Sequence, residues 1–428
     1  MGIKLENKQV AVLGAGSSGQ AAAKLCIREG ARVRLLEQSE SCFSAQRVNE
    51  LQNLGVSLEL GKHQPSQLAG AELVVLSPGI PWRSVQHLLP EGRAEVCSEL
   101  ELASWFVQEP IIAVTGTSGK TTTVQAIAHV LRQSGQEVFL GGNVGVPLSE
   151  YALGCSSAQV LVLEVSSFQL MHTFSLRPNV GVLLNFAANH LDYHQSLEEY
   201  FGAKLRLFRN QTPRDLAILP LEMREELQAR PEIAGSHVYF ASAQDLGCPG
   251  LPGPHNSRNL QAAYLACSHF GVEKWQMQQA LQYFQPDAHR LQMLGEKAGI
   301  LFVDDSKATT LHALQAALQS FSRPVLLLAG GRFKGGDPAQ VCDLLQERVK
   351  AAALFGEDRE LFRQAWQGCT QVFTEPDLRQ AARRLLQTAA PGDVLLLSPA
   401  TSSFDQYKDY QERGQAFQRL VWELVPKN

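Results

Sequence analysis

Short apolar runs rich in β-branched residues recur along the chain and alternate with stretches whose apolar positions repeat at helical spacing. Val10 to Leu13, Val33 to Leu36 and Leu73 to Leu76 read as buried strands, with a helix over Gln20 to Glu29 between the first two. Strands separated by helices imply a parallel sheet, and hence an α/β fold. The pattern restarts at Ile111 to Val114, followed by a helix from about Thr122 to Arg132 and strands at Val160 to Val165 and Val180 to Leu184. It restarts again at Leu301 to Val303, then Val325 to Ala329, Ala352 to Phe355 and Val394 to Leu397. Two restarts in 428 residues predict three domains with separate cores, over 1–97, 98–287 and 288–428. The segment GCPGLPGPHN, from Gly247 to Asn256, is expected to be a loop of the second domain, ahead of a helix from about Ser257 to Phe270. The hinge to the third domain is expected near Pro286 to Leu291.

Composition narrows the picture. Hydrophobic residues at 45% and charged residues at 19% are ordinary for a globular protein. The net charge of -4 supplies no basic field, so no nucleic-acid partner is expected. The start, MGIKLENKQVAVLGAG, lacks the apolar run of an export signal, and no later stretch approaches about eighteen uncharged apolar residues. No membrane partner and a cytoplasmic location are therefore expected. The eight cysteines (Cys26, Cys42, Cys97, Cys155, Cys248, Cys267, Cys342, Cys369) are scattered without a CxxC pair. Buried free thiols are expected, with neither zinc nor a disulfide framework.

Two glycine loops carry candidate chemistry. Gly14, Gly16 and Gly19 form GxGxxG between a strand and a helix, and Glu37 ends the next strand, where dinucleotide-binding folds place a ribose-binding acid. Such a loop brings backbone close to a diphosphate and turns amide groups toward its charge, so it suits any nucleotide diphosphate. A purely structural turn is the alternative. The second loop, TGTSGKTT from Thr115 to Thr122, also follows a strand and opens a helix. Its backbone amides can cradle phosphates, with Lys120 at the terminal phosphates and Thr121 placed for magnesium. Its first glycine is Gly116, whereas the usual GxxxxGKT spacing would place it at Val114, five before Gly119, which makes it a compact variant. A dehydrogenase would need only the first loop. Two suit an enzyme that holds a nucleotide-linked substrate and ATP.

Further residues lie at strand ends that should face the same crevices. Glu164, in LEVSSFQL, fits magnesium or a strand-end cap equally. His190 and Asp192, in NHLDYH, follow the next strand, and Lys204 lies on a helix where a solvated lysine is the default. DDSKAT from Asp304, GGRFKGG from Gly330 and SPATSSFDQYK from Ser398 all follow strands of the third domain.

TGTSGKTT, LEVSSFQL, NHLD, the helix lysine, PHN, HR, DDSKAT and the final SPATSSFDQYKDYQERG resemble the Mur ligases in order and over the whole chain. SPGIP at Ser77 to Pro81 and GGNVGVP at Gly141 to Pro147 look like the members that add D-glutamate to UDP-N-acetylmuramoyl-L-alanine in peptidoglycan precursor synthesis. The resemblance implies a Rossmann-like UDP-binding N-terminal domain and a central P-loop ATPase-like domain with a parallel or mixed sheet. It also implies a Rossmann-like C-terminal domain that contacts glutamate and closes over ATP. The activity implied is ATP-dependent amide-bond formation through an acyl phosphate, by a monomer.

Residue by residue, the resemblance places Gly16, Ser17, Ser18 and Gly19 at the UDP diphosphate and Glu37 with Gln38 at the uridine. Gly116, Thr117, Ser118, Gly119, Lys120, Thr121 and Thr122 would hold the ATP phosphates, with Asn256 and Asn259 near adenine and Arg290 with Asp305 as a nucleotide clamp. Thr121, Glu164, His190 and Lys204 would serve two Mg2+ sites, Lys204 as a carbamate; Lys120, His190 and Lys204 would be catalytic. Asn143 and His190 match substrate contacts, and Lys307, Thr309, Lys334, Ser403 and Tyr410 fall where glutamate is recognised. Ser118, Asn189 and Thr310 depart from the asparagine, acid and asparagine usual at their positions.

Overall fold

The computed structural model describes residues 4–38, 45–89, 94–154, 157–187, 193–242, 246–249, 251 and 253–424. They fall into two compact bodies, Met1–Ala241 with Gln261–Met277 and Ser242–Leu260 with Gln278–Asn428.

The first body holds two parallel sheets. One contains β1 (Gln9–Leu13), β2 (Arg32–Glu37), β3 (Ser57–Leu60), β4 (Leu73–Leu76) and β5 (Glu95–Ser98), in the order β3-β2-β1-β4-β5. The other contains β6 (Ile111–Thr115), β7 (Val138–Gly142), β8 (Val160–Glu164), β9 (Val180–Leu183), β10 (Leu216–Pro220) and β11 (Ser236–Phe240), in the order β11-β10-β9-β6-β8-β7. In each sheet the order reverses beside the strand that leads into a glycine loop, β1 or β6, and such reversals open ligand crevices at the carboxyl ends. The first helix runs over Ser17–Arg28 and that after β6 over Lys120–Gln133, both beginning earlier than predicted because each starts at the glycine loop itself.

One apolar cluster spans the two sheets, while a second lies wholly on the other face of the first, with Leu13, Leu36 and Val74. Leu25 and Cys26 of the helix Ser17–Arg28 belong to the same apolar cluster as Leu100, Leu148 and Tyr151, and the Arg28 guanidinium donates to the Ala152 carbonyl. The buried Glu101 carboxylate, just after β5, accepts the backbone N–H groups of Phe174, Ser175 and Leu176.

The second body is a six-stranded sheet of β12 (Gln292–Lys297), β13 (Ile300–Asp304), β14 (Val325–Gly330), β15 (Val349–Phe355), β16 (Gln371–Thr374) and β17 (Val394–Leu397), in the order β12-β13-β17-β14-β15-β16. β12 is antiparallel to β13 and the other neighbours are parallel. β12 is absent from the sequence reading because it is a polar, half-exposed edge; its turn, Ala298 at φ 49° and Gly299 at φ 73°, is the signal that could have found it. Helices cover both faces, one packing Trp366 with Leu327, the other Phe417 with Leu328. A helix over Pro254–Ser268 begins within the segment expected to be a loop, since proline is at home in a helix's first turn.

The expectation for the cysteines needs correction. Cys342 and Cys369 form a disulfide, with Cα atoms 5.3 Å apart, although their separation of 27 residues gave no sequence pattern. Cys26, Cys97, Cys248 and Cys267 are free and buried, and burial pushes the Cys26 thiol up to about 12. Cys42 and Cys155 lie outside the described residues, among which no helix is long and apolar enough to cross a membrane.

Candidate functional site

At the carboxyl edge of the first sheet, Gly14 adopts φ 87° and the helix Ser17–Arg28 packs so tightly that a Cβ on Gly19 would lie 1.8 Å from the Gly14 carbonyl oxygen. Only glycine fits there. The Ala15 N–H donates to the Glu37 carboxylate across 2.8 Å, and the Ser77 hydroxyl donates to the Gly14 carbonyl across 2.9 Å. Glu37 therefore buttresses the turn with one oxygen. A cavity of about 310 Å³ opens here, lined by Gly16, Ser17, Ser18, Glu37 and the segment Ser77 to Ile80, and it extends to Gly142 and Asn143 at the end of β7. Gln38 is exposed just beyond β2.

The second glycine loop turns through Gly116 at φ 151° and Gly119 at φ 82°, the latter capping the helix Lys120–Gln133. Positive φ at both positions exposes successive amide groups as an anion cradle. Asn185, two residues past the end of β9, fixes the loop: its side-chain oxygen accepts the N–H groups of Thr117 at 3.1 Å and Ser118 at 3.0 Å, and its amide donates to the Ser118 carbonyl at 3.1 Å. The Thr117 hydroxyl lies 3.3 Å from the Tyr200 hydroxyl. Thr122 is buried in the first turn of the helix.

Thr121 donates its hydroxyl to Glu164 across 2.6 Å, and the Asn143 amide donates to the other oxygen of that carboxylate across 2.9 Å. Glu164, 3% exposed, thus joins the phosphate loop to the end of the cavity. A hydroxyl and a carboxylate are hard oxygen donors, the set magnesium prefers. Among the described residues no group of three or more His, Cys, Asp or Glu is placed to hold a metal. His190, Asn189 and Asp192 lie outside the described residues.

Two lysines converge on one backbone carbonyl. Lys120 Nζ donates to the Gly116 carbonyl at 2.9 Å and to that of Thr117 at 3.2 Å, and Lys204 Nζ donates to the same Gly116 oxygen at 2.9 Å. Lys204 is 1% exposed and stacks 4.4 Å from the centre of the Tyr200 ring. Burial, and then the neighbouring Lys120 charge, hold its amine well below the usual lysine range. The solvated helix lysine expected by default is not what forms.

In the second body, β13, β17 and β14 are adjacent, so DDSKAT, SPATSSFDQYK and GGRFKGG emerge side by side. Lys334 Nζ donates to the Thr309 hydroxyl at 3.4 Å, Lys307 Nζ lies 5.1 Å from the Tyr410 ring centre, and Ser403 is buried. Arg413 is fully buried and binds these loops together through backbone carbonyls: Ser306 at 2.9 Å, Thr401 at 3.1 Å, Ser402 at 3.3 Å and Gly330 at 3.5 Å. Burial lowers its guanidinium to about 10.

Asp305 accepts the Ser398 hydroxyl at 2.9 Å and the Leu291 N–H at 3.1 Å, and burial raises its carboxyl to about 7. Beside it, His289 at φ 66° pairs with Asp304 across 2.7 Å, and Arg290 is half-buried. Asn256 and Asn259 are buried in the first turns of the helix Pro254–Ser268. Sequence reasoning passed over Asn185, Tyr200 and Arg413 as functional positions. Asn185 follows a strand of the loop's own sheet and was within reach of the strand-end argument; the other two lie on helices, with no local signal.

Comparison with known proteins covers the chain from end to end. Residues 8–91 match the family model of the Mur ligase MurD-like N-terminal domain, 114–247 the Mur ligase middle domain and 289–401 the Mur ligase glutamate ligase domain. The UDP-N-acetylmuramoylalanine–D-glutamate ligase of Desulfovibrio desulfuricans is 49% identical over 416 residues, 96% of each chain. That of Oleidesulfovibrio alaskensis is 48% identical, over 96% of this chain and 93% of its own. The crystal structure of MurF ligase from Thermotoga maritima in complex with ADP superposes with a TM-score of 0.61 at 17% identity, covering 98% of this chain and 99% of that one, a likeness of fold.

Proposed function

Since the chain belongs to the Mur ligase family, an ATP-dependent amide-forming group, we propose that it joins D-glutamate to UDP-N-acetylmuramoyl-L-alanine in cytoplasmic peptidoglycan precursor synthesis. The observation that carries this reading is the chain Asn143–Glu164–Thr121, which connects the cavity at the first glycine loop to the phosphate loop. A nucleotide-linked substrate seated at Gly16 to Gly19 would extend along that cavity and bring its carboxylate toward the ATP phosphates.

A carboxylate oxygen is a poor leaving group at neutral pH. Attack of the substrate carboxylate on the terminal phosphorus of ATP makes an acyl phosphate and releases ADP; attack of the glutamate amine then forms the amide and releases phosphate. Little of this needs covalent help from the protein, so its residues act by position and charge. Gly116 to Thr122 would hold the phosphates, with Lys120 neutralising the charge that builds on the transferring group. Bound Mg2+, at two sites held by Thr121, Glu164, His190 and Lys204, would supply further positive charge at those oxygens. The fit of Lys204 rests on its chemistry: a buried amine of lowered proton affinity is nucleophilic enough to take up CO2, and the carbamate would turn a cation beside Lys120 into an anionic ligand. We assign Asn256, Asn259, Arg290 and Asp305 to the nucleotide, and Lys307, Thr309, Lys334, Ser403 and Tyr410 to glutamate. Glu37 and Gln38 would meet the uridine and Asn143 the growing end. Domains over 1–97, 98–287 and 288–428 follow these roles, and one chain supplies every assigned residue, as a monomer requires.

The test is ADP release with UDP-N-acetylmuramoyl-L-alanine, offering D- and L-glutamate separately. Release with D-glutamate alone is expected, and no ADP with either would reject the assignment.

A further inference from the structure

Lys334 sits in a segment with little stiffness of its own. Gly330, Gly331, Gly335 and Gly336 flank it with φ values from 97° to 131°, so its position is set from outside. Four ties run to residues 358–369. The Phe333 N–H donates to the Asp358 carboxylate across 2.8 Å, and the Phe333 ring meets Phe362 edge-on with centroids 5.0 Å apart. Trp366, fully buried and 4.9 Å from Phe362, donates its indole N–H to the Pro338 carbonyl across 2.8 Å. The fourth tie is the Cys342–Cys369 disulfide, which joins the first residue of the helix Cys342–Arg348 to the loop after the helix Arg359–Trp366. Only the last can be made and broken covalently.

We propose that Cys342 and Cys369 are a thiol–disulfide modification site, oxidised by low-molecular-weight disulfides, whose closed form orders the Lys334 segment and tightens amino-acid binding. Both residues are half-buried, within reach of a small reagent, whereas the other four cysteines described are buried. In a reducing compartment such a pair rests as two thiols and closes when small disulfides accumulate. One protein thiolate attacks the small disulfide, forming a mixed disulfide and expelling one small thiol. The second protein thiolate then attacks the protein sulfur of that bond and expels the other. The two protons lost by the protein are taken up by the two departing thiolates, and the small disulfide is the species reduced.

The effect on the amino acid rests on the assignment of Lys334 to glutamate; the bond and its hold on the loop do not. The test compares full-length protein treated with excess dithiothreitol against protein treated with oxidised glutathione. Alkylation after denaturation should count eight thiols in the reduced form and two fewer after oxidation, with no retained glutathione mass. Hydrogen exchange over residues 333–342 should slow by about tenfold on oxidation. The KM for glutamate should fall several-fold with the KM for ATP unchanged, and a Cys342→Ser/Cys369→Ser variant should match the reduced enzyme under both treatments. Eight alkylatable thiols after oxidation, retained glutathione in place of the bond, or equal exchange in the two forms would overturn the proposal. Should the double variant not fold, the two redox states of the natural chain still decide it. Absence of turnover in both states would count against the function, while mass and exchange would still decide the site.

Discussion

Lys204 donates from a side chain that is 1% exposed to the backbone carbonyl of Gly116, across 2.9 Å. Its amine meets that carbonyl and the face of the Tyr200 ring, and a second lysine, Lys120, shares the acceptor. Burial and the Lys120 charge lower the proton affinity of the amine, the property the proposed carbamate requires.

Lys204→Ala is expected to reduce turnover by roughly two to three orders of magnitude, the range for loss of one preorganised electrostatic contact in a phosphoryl-transfer site. Lys204→Arg, which keeps the charge but cannot form a carbamate, should be equally impaired. Carbon-13-labelled CO2 should give a carbamate resonance in the natural protein and none in either variant. Full activity in Lys204→Arg would remove the carbamate from the mechanism.

Asn185→Ala should loosen the phosphate loop, because the amides of Thr117 and Ser118 lose their shared acceptor. A KM for ATP raised about tenfold is expected, with stability reduced by about 1–2 kcal/mol. Steady-state kinetics with varied ATP, beside thermal unfolding, separates the two effects.

Arg413→Ala should be strongly destabilising, since the carbonyls of Ser306, Thr401, Ser402 and Gly330 would lose one buried donor group together. A loss of about 3 kcal/mol or more follows from leaving several such acceptors unpaired. Arg413→Lys should recover only part of it, because a single ammonium cannot span the planar fork. Denaturant titration of the two variants provides the comparison.

Asp305 gives a pH dependence of definite sign. In the fold its carboxyl keeps its proton to about pH 7, whereas an unfolded aspartate loses it near 3.9. The folded state binds more protons in that window, so the contribution to stability is fully present below about pH 4 and is lost as pH rises to 7. The stability of the natural chain relative to Asp305→Asn should therefore fall by about 4 kcal/mol across the window, at 1.36 kcal/mol per unit. A constant difference between the two unfolding curves would show that Asp305 is ionised throughout.

Gly414→Ala should disturb the His289 segment, because a Cβ there would lie 2.1 Å from His289 Nδ1. A cost of about 1–3 kcal/mol is expected from such overpacking, with the His289–Asp304 pair disrupted. A histidine side-chain resonance unchanged between the two proteins would argue that the helix shifts instead.

The sequence by itself determined the elements and the chemistry of the loops. Apolar runs with helical spacing between them specify parallel strands, and a glycine loop at a strand-to-helix junction specifies a phosphate cradle, since both are local consequences of backbone geometry. The order of motifs further identified the family. Tertiary structure alone decided which groups meet. Asn185 reaches Ser118 across 67 positions, Lys204 reaches Gly116 across 88 and Arg413 reaches Ser306 across 107. Cys342 and Cys369 pair without a pattern, and the edge strand β12 is polar enough to pass for a loop. The protonation of Lys204 and Asp305 was equally out of reach, because a pKa shift depends on burial and on neighbours in space, and neither is a property of residues adjacent in the chain.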